Sequence, residues 1–336
     1  MSRPRVFVTH PIAKSALDRL RKVASVTVNP DSSRIIPKAR LIAAVRKCDI
    51  LFSRLHDKVD RDVIAANPDL RAICSMSITP DNTDIAAAAE RGILVTLCPP
   101  IVAEATADIN FALMLAVARR VVEGDRSVRA GKFPGSQSNH LAGAWVYGKT
   151  IGLLGGGGRI GKAVARRAHG FSMRVLYWAP RRRSEAEERE TGFTYVPLDQ
   201  LLRDSDFVSV HSPLNDETRH QIGARELRLM KKTAFLINTG RGPIVDEAAL
   251  LRALARKQIA GAGLDVFEHE PKVAAALRKM TNVVLTPHLG SAVVELREQM
   301  ANIVVDNIVA LIEGTGAAAG SPPKSSSAFA LARKRV

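Results

Sequence analysis

Apolar residues along the chain fall into short runs that alternate with helical patterns. Up to Thr96 the strand-length runs are RVFVTH, VTVN, DILFS, LRAIC and GILVT. Such alternation is typical of a parallel sheet covered by helices. A long amphipathic segment, Val102 to Arg120, precedes a second series, KTIGLLG, RVLYW, DFVSVHSPL, TAFLINT, GAGLDV and NVVLTPH. Two successive series predict an α/β protein with two doubly wound domains.

The chain beyond the second series contains a helical pattern and a tail. SAVVELREQMANIVVDNIVALIEG is long and apolar on one face, so we expect this helix to pack back on the first domain. From Thr315 the sequence TGAAAGSPPKSSSAFALARKRV is rich in Ala, Ser, Pro and Gly and ends in basic residues. This composition predicts a disordered basic tail over residues 315–336.

Composition and charge narrow the classes of function. The 336 residues include 49 Lys and Arg against 33 Asp and Glu, a net charge of +16, which favours anionic partners such as phosphates and small acids. No nucleic-acid-binding motif accompanies this charge, so nucleic acid is the weaker alternative. No apolar run reaches the roughly 18 residues of a membrane span, and the start MSRPRVFVTH lacks a signal-peptide core, which predicts a cytoplasmic protein. Cys48, Cys74 and Cys98 are far apart and form no CxxC pair, which predicts reduced core thiols and no metal site.

A glycine-rich stretch follows the strand KTIGLL. In GGGGRIGKAVARRAHGF, Gly156, Gly158 and Gly161 form a GxGxxG pattern at the start of a helix, with Arg159 and Ile160 between the last two glycines. The strand MRVLYW then closes a βαβ unit. Such glycines permit a tight turn and close approach to a phosphate, to which the helix N-terminus offers N–H groups. This context predicts a dinucleotide-binding site.

The strand that closes this unit ends in YWAPRRR. At this strand end a carboxylate selects the ribose of NAD, whereas an arginine accommodates the 2′-phosphate of NADP. Arg181, Arg182 and Arg183 stand there, and no carboxylate precedes Glu185. We therefore predict that NADP(H) is preferred and that NAD(H) remains possible. The alternative is three solvated arginines on a loop of an NAD enzyme.

Three polar residues follow later strands of the second series. Arg241 lies in INTGRGPIVDE, Glu270 in GLDVFEHEP and His288 in VVLTPHLGSA. The carboxyl ends of strands are where α/β sheets bind ligands. An arginine can hold a carboxylate, and a histidine oriented by a glutamate can donate a proton. Together these groups can bind the carboxylate of a 2-oxo acid and donate the proton that its reduction requires.

The motifs KTIGLL...GRIG, HSPL, NTGRGPIVDE, LDVFEHEP and PHLGSA resemble those of the D-isomer-specific 2-hydroxyacid dehydrogenase family, nearest to its NADPH-dependent glyoxylate/hydroxypyruvate reductases. The resemblance runs from Arg5 to about Gly314. It implies a flavodoxin-like substrate-binding domain, residues 1–99 with 289–314, and a Rossmann nucleotide-binding domain, residues 100–288, with the active site in the cleft between them. It also implies that His288 is the general acid, Glu270 orients it and Arg241 binds the substrate carboxylate. The implied reaction is NADPH-dependent reduction of a small 2-oxo acid to the D-2-hydroxy acid.

The resemblance implies further ligands and a partner. Besides the glycine turn and the three arginines, the implied cofactor residues are Thr106, His211, Pro213, Thr218, Thr239, Gly240, Asp265 at the nicotinamide carboxamide, and Gly290. The implied substrate residues, besides Arg241, are Leu55, Ser77, Ile78 and Thr79. The partner is a second copy of the chain, bound through Val102 to Arg120 and the segment that follows.

The sequence departs from the family pattern at three places. Gly155 to Gly158 contain one extra glycine, Thr79 stands where the substrate loop usually has glycine, and Gly240 stands where alanine is common. Two alternatives to the implied function stay open. One is an NAD-linked dehydrogenase that oxidises another hydroxyacid or small anion. The other is a nucleotide-sensing binding protein similar to the C-terminal-binding protein corepressors.

Overall fold

The computed structural model describes residues 3–137 and 139–314 and the backbone of Ala330–Leu331. In chain order the strands are β1 (Arg5–Val8), β2 (Ser25–Val28), β3 (Ile50–Ser53), β4 (Ala72–Ser75), β5 (Leu94–Thr96), β6 (Thr150–Leu154), β7 (Arg174–Trp178), β8 (Phe193–Tyr195), β9 (Phe207–Val210), β10 (Phe235–Asn238), β11 (Gly261–Leu264), β12 (Val283–Leu285) and β13 (Ala330–Leu331). The helices are α1 (Lys14–Val23), α2 (Lys38–Val45), α3 (Arg61–Ala65), α4 (Ile85–Glu90), α5 (Ala103–Ala118), α6 (Val121–Arg129), α7 (Arg159–Gly170), α8 (Glu185–Thr191), α9 (Leu198–Asp204), α10 (Ala224–Leu229), α11 (Glu247–Ala255), α12 (Ala275–Lys279) and α13 (Val294–Glu313), with a 3₁₀ turn at Gly242–Ile244.

The chain divides into two compact units, Met1–Ile101 with Val293–Val336, and Val102–Ala292. The first unit contains a sheet in the order β2-β1-β3-β4-β5 with all these strands parallel. This is the order of flavodoxin-like folds. α13 packs within this unit on α1 and β4.

The tail beyond Gly314 differs from the sequence prediction at two residues. Ala330–Leu331 pair antiparallel with β5 and extend the sheet of the first unit by one strand. Without this pairing β5 would be an edge strand with unpaired backbone groups, which accept an added strand readily. The prediction of disorder was therefore wrong for these two residues, and the rest of the tail lies outside the described residues.

The second unit contains a parallel sheet in the order β8-β7-β6-β9-β10-β11-β12. Counted within this unit, the strands follow the Rossmann order 3-2-1-4-5-6, with β12 added at one edge. The prediction of two doubly wound folds is confirmed. β8 was missed because its three residues, FTY, place a threonine between two aromatic residues and so form no continuous apolar run.

Several central strands are buried along their whole length, among them β3, β4, β9, β10 and β11. Helices cover both faces of parallel sheets, so these strands carry continuous apolar runs. Cys48, Cys74 and Cys98 are buried and form no disulfide, as predicted. Burial raises the pKa of Cys48 and of Cys98 to about 12 and that of Cys74 to about 11. Among the described residues, no helix is both long and apolar enough to cross a membrane.

Candidate active site

The glycine turn connects β6 to α7 in the second unit. Gly155 has a left-handed backbone with φ of 74°, and a Cβ there would lie 2.5 Å from the backbone nitrogen of Ser212. A Cβ on Gly161 would lie 2.1 Å from the carbonyl oxygen of Gly156. Glycine is therefore required at both positions. The GxGxxG pattern did not include Gly155, although the unbroken run of glycines already contained it.

The N-terminus of α7 opens beside this turn. Gly158 is the N-cap, and its carbonyl oxygen accepts the N–H of Lys162 at 3.0 Å. The N–H groups of Arg159, Ile160 and Gly161 precede this bond and have no acceptor inside the helix. A Cβ on Gly158 would meet only the carbonyl oxygen of Gly155, at 3.8 Å, so the space there is open. The turn fits a pyrophosphate.

The three arginines that follow β7 have different environments. Arg182 donates from Nε and Nη2 to the two carboxylate oxygens of Glu188, at 2.9 and 2.8 Å. Arg183 instead lies against the glycine turn, where a Cβ on Gly157 would come 2.4 Å from its Nε. Arg181 is exposed. Sequence reasoning missed Glu188, because this residue reaches Arg182 only through the path of the loop and α8.

The HSPL turn follows β9. His211 Nε2 lies 2.9 Å from Ser209 Oγ, and burial lowers the pKa of His211 to about 4. The ring is therefore a neutral imidazole at pH 7. The Thr218 hydroxyl donates to the carbonyl oxygen of Pro213 at 2.6 Å. This bond closes the turn from within, so the structure gives Thr218 a role in the shape of the turn.

A buried amide lies below the ends of β9 and β10. Asn110 of α5 is fully buried and donates from Nδ2 to Ser209 Oγ at 2.8 Å and to Thr239 Oγ1 at 3.0 Å. Thr239 is thereby held in place next to Gly240 and Arg241. Asn110 was not predicted, although an asparagine within the apolar run of α5 is a visible signal for a buried polar contact.

Arg241 follows the end of β10. Its Nη1 donates to the carbonyl oxygen of Gly240 at 2.9 Å, and its own carbonyl oxygen accepts from Asn238 Nδ2 at 3.1 Å. A Cβ on Gly240 would lie 3.2 Å from the carbonyl oxygen of Val210. The alanine common in the family would need only a small shift, so Gly240 leaves the path of the Arg241 loop intact.

Glu270 and His288 follow β11 and β12. The strands β10, β11 and β12 are neighbours and parallel, so the loop with Arg241 and these two loops leave the same edge of the sheet. Glu270 Oε2 lies 2.9 Å from His288 Nδ1, and Glu270 Oε1 accepts the N–H of Phe267 at 2.9 Å. Both side chains are largely buried, with exposed fractions of 20% for Glu270 and 16% for His288. The contact holds Nδ1 against the carboxylate and fixes the orientation of the ring.

Asp265 holds the His288 loop. Its carboxylate is fully buried and accepts from Leu289 N at 2.7 Å, Gly290 N at 2.8 Å and Thr286 Oγ1 at 2.6 Å. Burial raises the pKa of Asp265, and these hydrogen bonds oppose that rise. The expected contact of Asp265 with the nicotinamide carboxamide stays a prediction.

The backbone of His288 is also constrained. Its φ of 55° is left-handed, and its N–H donates to the carbonyl oxygen of Asp265 at 2.8 Å. The Thr106 hydroxyl of α5 donates to the carbonyl oxygen of Gly290 at 3.2 Å. A non-glycine residue in this conformation costs free energy, and it persists because the surrounding bonds impose it. The direction of the imidazole is therefore set by the whole loop.

The predicted substrate residues lie in the first unit. Leu55 follows β3, and Ser77 to Thr79 follow the neighbouring β4, so both loops leave one edge of that sheet. Ser77 is buried and its N–H donates to Ser75 Oγ at 3.2 Å, whereas the N–H of Ile78 makes no hydrogen bond within the described residues. The Thr79 hydroxyl donates to Asp81 Oδ2 at 2.9 Å. Thr79 has no positive φ, so the loop passes this position without the conformation that favours glycine.

Comparisons with known proteins identify the family. The family model described as "D-isomer specific 2-hydroxyacid dehydrogenase, NAD binding domain" matches residues 111–290. Glyoxylate reductase of Thermococcus litoralis is 45% identical over 316 residues, covering 93% of this chain and 95% of that protein.

Two solved structures are also similar. One is an NADPH-dependent glyoxylate/hydroxypyruvate reductase from Sinorhizobium meliloti in complex with citrate, with a TM-score of 0.76, 33% identity and coverage of 92% of this chain and 94% of that one. The other is D-lactate dehydrogenase from Aquifex aeolicus with NAD and lactic acid, with a TM-score of 0.79, 29% identity and coverage of 93% and 96%. The chain therefore belongs to the D-isomer-specific 2-hydroxyacid dehydrogenase family and is a nicotinamide-dependent oxidoreductase.

Proposed function

We propose that the protein catalyses NADPH-dependent reduction of a small 2-oxo acid, of the glyoxylate or hydroxypyruvate type, to the D-2-hydroxy acid. The observation that carries this proposal is the 2.9 Å contact between His288 Nδ1 and Glu270 Oε2. It lies at the same sheet edge as the Arg241 loop. A carboxylate-oriented imidazole beside an arginine is the set of groups that reduction of a 2-oxo acid requires.

Each residue has a distinct role in the proposed reaction. A bound reduced nicotinamide would supply the hydride. Arg241 binds the substrate carboxylate and polarises the carbonyl group through its planar guanidinium. His288 donates a proton to the carbonyl oxygen as that oxygen gains charge. Because Glu270 holds Nδ1, the proton that is transferred is the one on Nε2.

The cofactor preference in the proposal rests on Arg183. The buried Nε of this side chain has no hydrogen-bond partner within the described residues, and the side chain lies against the glycine turn. The names of the similar structures do not decide the preference, because one is NADPH-dependent and the other was solved with NAD. A cationic donor beside the phosphate turn supports the 2′-phosphorylated cofactor.

The experiment is the initial rate of cofactor oxidation with glyoxylate and with hydroxypyruvate, using NADPH and NADH side by side. We expect kcat/KM for NADPH to exceed that for NADH by about tenfold or more, as one charge-assisted hydrogen bond provides. A preference for NADH would contradict the cofactor part. Turnover only with NAD and a hydroxyacid would support the oxidative alternative, and no turnover with any of these would support a nucleotide-sensing binding protein.

A homodimer and a cytoplasmic location complete the proposal. No residue of α6 is buried, and Val121, Val128, Phe133, Trp145 and Tyr147 are exposed large apolar side chains within one stretch of the chain. Such a concentration supports contact with a second copy. We expect Trp145→Asp to shift sedimentation equilibrium toward the monomer, whereas Val294→Asp, at an equally exposed apolar residue elsewhere, leaves it unchanged. If the unaltered protein sediments as a monomer, the proposed homodimer is contradicted.

The proposed cytoplasmic location is tested separately, by cell fractionation.

A further inference from the structure

The glycine turn and the arginine loop meet at one contact. A Cβ placed on Gly157 would lie 2.4 Å from Arg183 Nε, 3.1 Å from its Nη2 and 3.2 Å from its Cζ. The guanidinium therefore occupies the space that any side chain at position 157 would need. Gly157 belongs to the run Gly155 to Gly158. The contact therefore joins this run to the loop that follows β7.

Arg183 is placed to bind an anion. Its Nε is buried without a hydrogen-bond partner in the part of the chain that the structure describes. A buried donor without an acceptor costs about 1–3 kcal/mol, and more when it is charged. The N-terminus of α7 lies beside the same turn and favours negative charge there. A 2′-phosphorylated dinucleotide carries two anionic groups: its pyrophosphate would meet the helix N-terminus and its 2′-phosphate would satisfy Arg183.

Arg182 is held in a different way. Its guanidinium forms a bidentate pair with Glu188 and lies 5.7 Å over the ring of Tyr195. Glu188 is only 12% exposed, and the hydrogen bonds from Arg182 and Tyr177 lower its pKa to about 2. The positive charge of Arg182 is therefore paired within the protein, which leaves Arg183 as the arginine directed to the turn.

Tyr177 connects these two arginines. Its ring is fully buried at the end of β7, with the ring centroid of Phe193 at 5.3 Å. Its hydroxyl accepts the N–H of Arg183 at 2.8 Å and donates to Glu188 Oε1 at 2.7 Å. A phenylalanine would pack equally well, so the hydroxyl contributes chiefly to the path of the loop.

We propose that Gly157, Tyr177 and Glu188 determine cofactor selectivity by directing Arg183, and not Arg182, to the 2′-phosphate of the adenosine ribose. Gly157 leaves room for the guanidinium. Tyr177 and Glu188 are positioning residues that act through the loop. This inference rests on the proposed function and deepens its preference for NADP(H).

Two variants test the inference by different routes. Gly157→Ala places a methyl group where the guanidinium lies, and the fold should persist because the clash is with the end of a flexible side chain. Tyr177→Phe removes only the hydroxyl. The matched control is Gly170→Ala, because an added Cβ at that last residue of α7 meets nothing within 4 Å. Thermal unfolding of each variant checks that the fold is kept.

Two readouts are measured for each protein. The first is KM for NADPH and for NADH at saturating glyoxylate. The second is calorimetric binding of adenosine 2′,5′-bisphosphate and of 5′-AMP, which needs no turnover. In Gly157→Ala and Tyr177→Phe we expect the ratio of KM for NADPH to KM for NADH to rise about tenfold, the value of one charged hydrogen bond. The bisphosphate should weaken relative to AMP by a similar factor, and Gly170→Ala should change neither ratio.

The outcomes separate this inference from the proposed function. If the unaltered protein prefers the 2′-phosphorylated nucleotides and both variants keep that preference, the inference is overturned while the proposed function stands. If the unaltered protein has no such preference, the inference and the cofactor part of the proposed function are both overturned. If the preference exists and is lost in the variants, but glyoxylate and hydroxypyruvate are not reduced, the inference is supported and the proposed reaction is overturned.

Discussion

His288 Nδ1 lies 2.9 Å from Glu270 Oε2, although the two residues follow different strands of the sheet. The carboxylate fixes which ring nitrogen points away from it. Glu270 itself is held by the N–H of Phe267. The orientation of the proposed general acid therefore comes from one carboxylate, which a glutamine can replace without a change in side-chain size.

Glu270→Gln should lower turnover. The carboxylate accepts the N–H of Phe267 with one oxygen and faces His288 Nδ1 with the other, whereas glutamine has a single acceptor oxygen and cannot hold both groups. We expect kcat at pH 7.5 to fall about 10²-fold. Steady-state reduction rates measure this, and Glu217→Gln is the surface control. An unchanged kcat in Glu270→Gln would count against the role of Glu270.

Arg241→Lys should impair both binding and turnover of the oxo acid. Lysine keeps the charge but loses the planar fork that matches a carboxylate. We expect kcat/KM for glyoxylate to fall about 10²–10³-fold, the size typical for loss of one preorganised stabiliser. Steady-state kinetics measure it, and Arg256→Lys on the exposed end of α11 is the control. A change in cofactor KM alone would place Arg241 outside the substrate site.

Asp265→Asn should destabilise the second unit and reduce activity. The amide cannot accept all the bonds that the buried carboxylate accepts from Thr286, Leu289 and Gly290. We expect a loss of about 2–3 kcal/mol, the range for hydrogen bonds to a buried charge. Thr286→Val removes one of these bonds and should cost about 1 kcal/mol. Urea unfolding measures the free energy of unfolding of both variants. Equal losses would show that Asp265 contributes no more to stability than its single bond with Thr286.

His211→Gln should flatten the dependence of stability on pH. The folded pKa of His211 is about 4, below its ordinary value of 6.5, so between these values the unfolded chain binds a proton that the folded chain does not. Stability is therefore lost as pH falls from 6.5 toward 4. Between pH 7 and 5 the unaltered protein should lose about 2 kcal/mol more than the variant. Chemical unfolding at both pH values tests this, and parallel losses would show that His211 is not a buried neutral ring.

Local patterns in the sequence were sufficient for most of the fold. Runs such as DILFS and TAFLINT predicted the sheets because strands covered on both faces must be apolar throughout. The spacing of Gly156, Gly158 and Gly161 predicted the phosphate turn because a tight turn is a local property of the backbone. β8 has a threonine between two aromatic residues and so forms no continuous apolar run, and Asn110, although visible in the apolar sequence of α5, does not by itself identify its partners.

By itself the sequence determined the two doubly wound folds, the glycine turn and the residue types at the strand ends. Only the tertiary structure decided that Glu188 engages Arg182, that Arg183 lies on Gly157, and that Asp265 holds the His288 loop. The physical reason is the range of the interactions. Periodicity and turn chemistry act between near neighbours in the chain. Charged side chains instead pair according to their distance in space, which depends on the path of every loop between them.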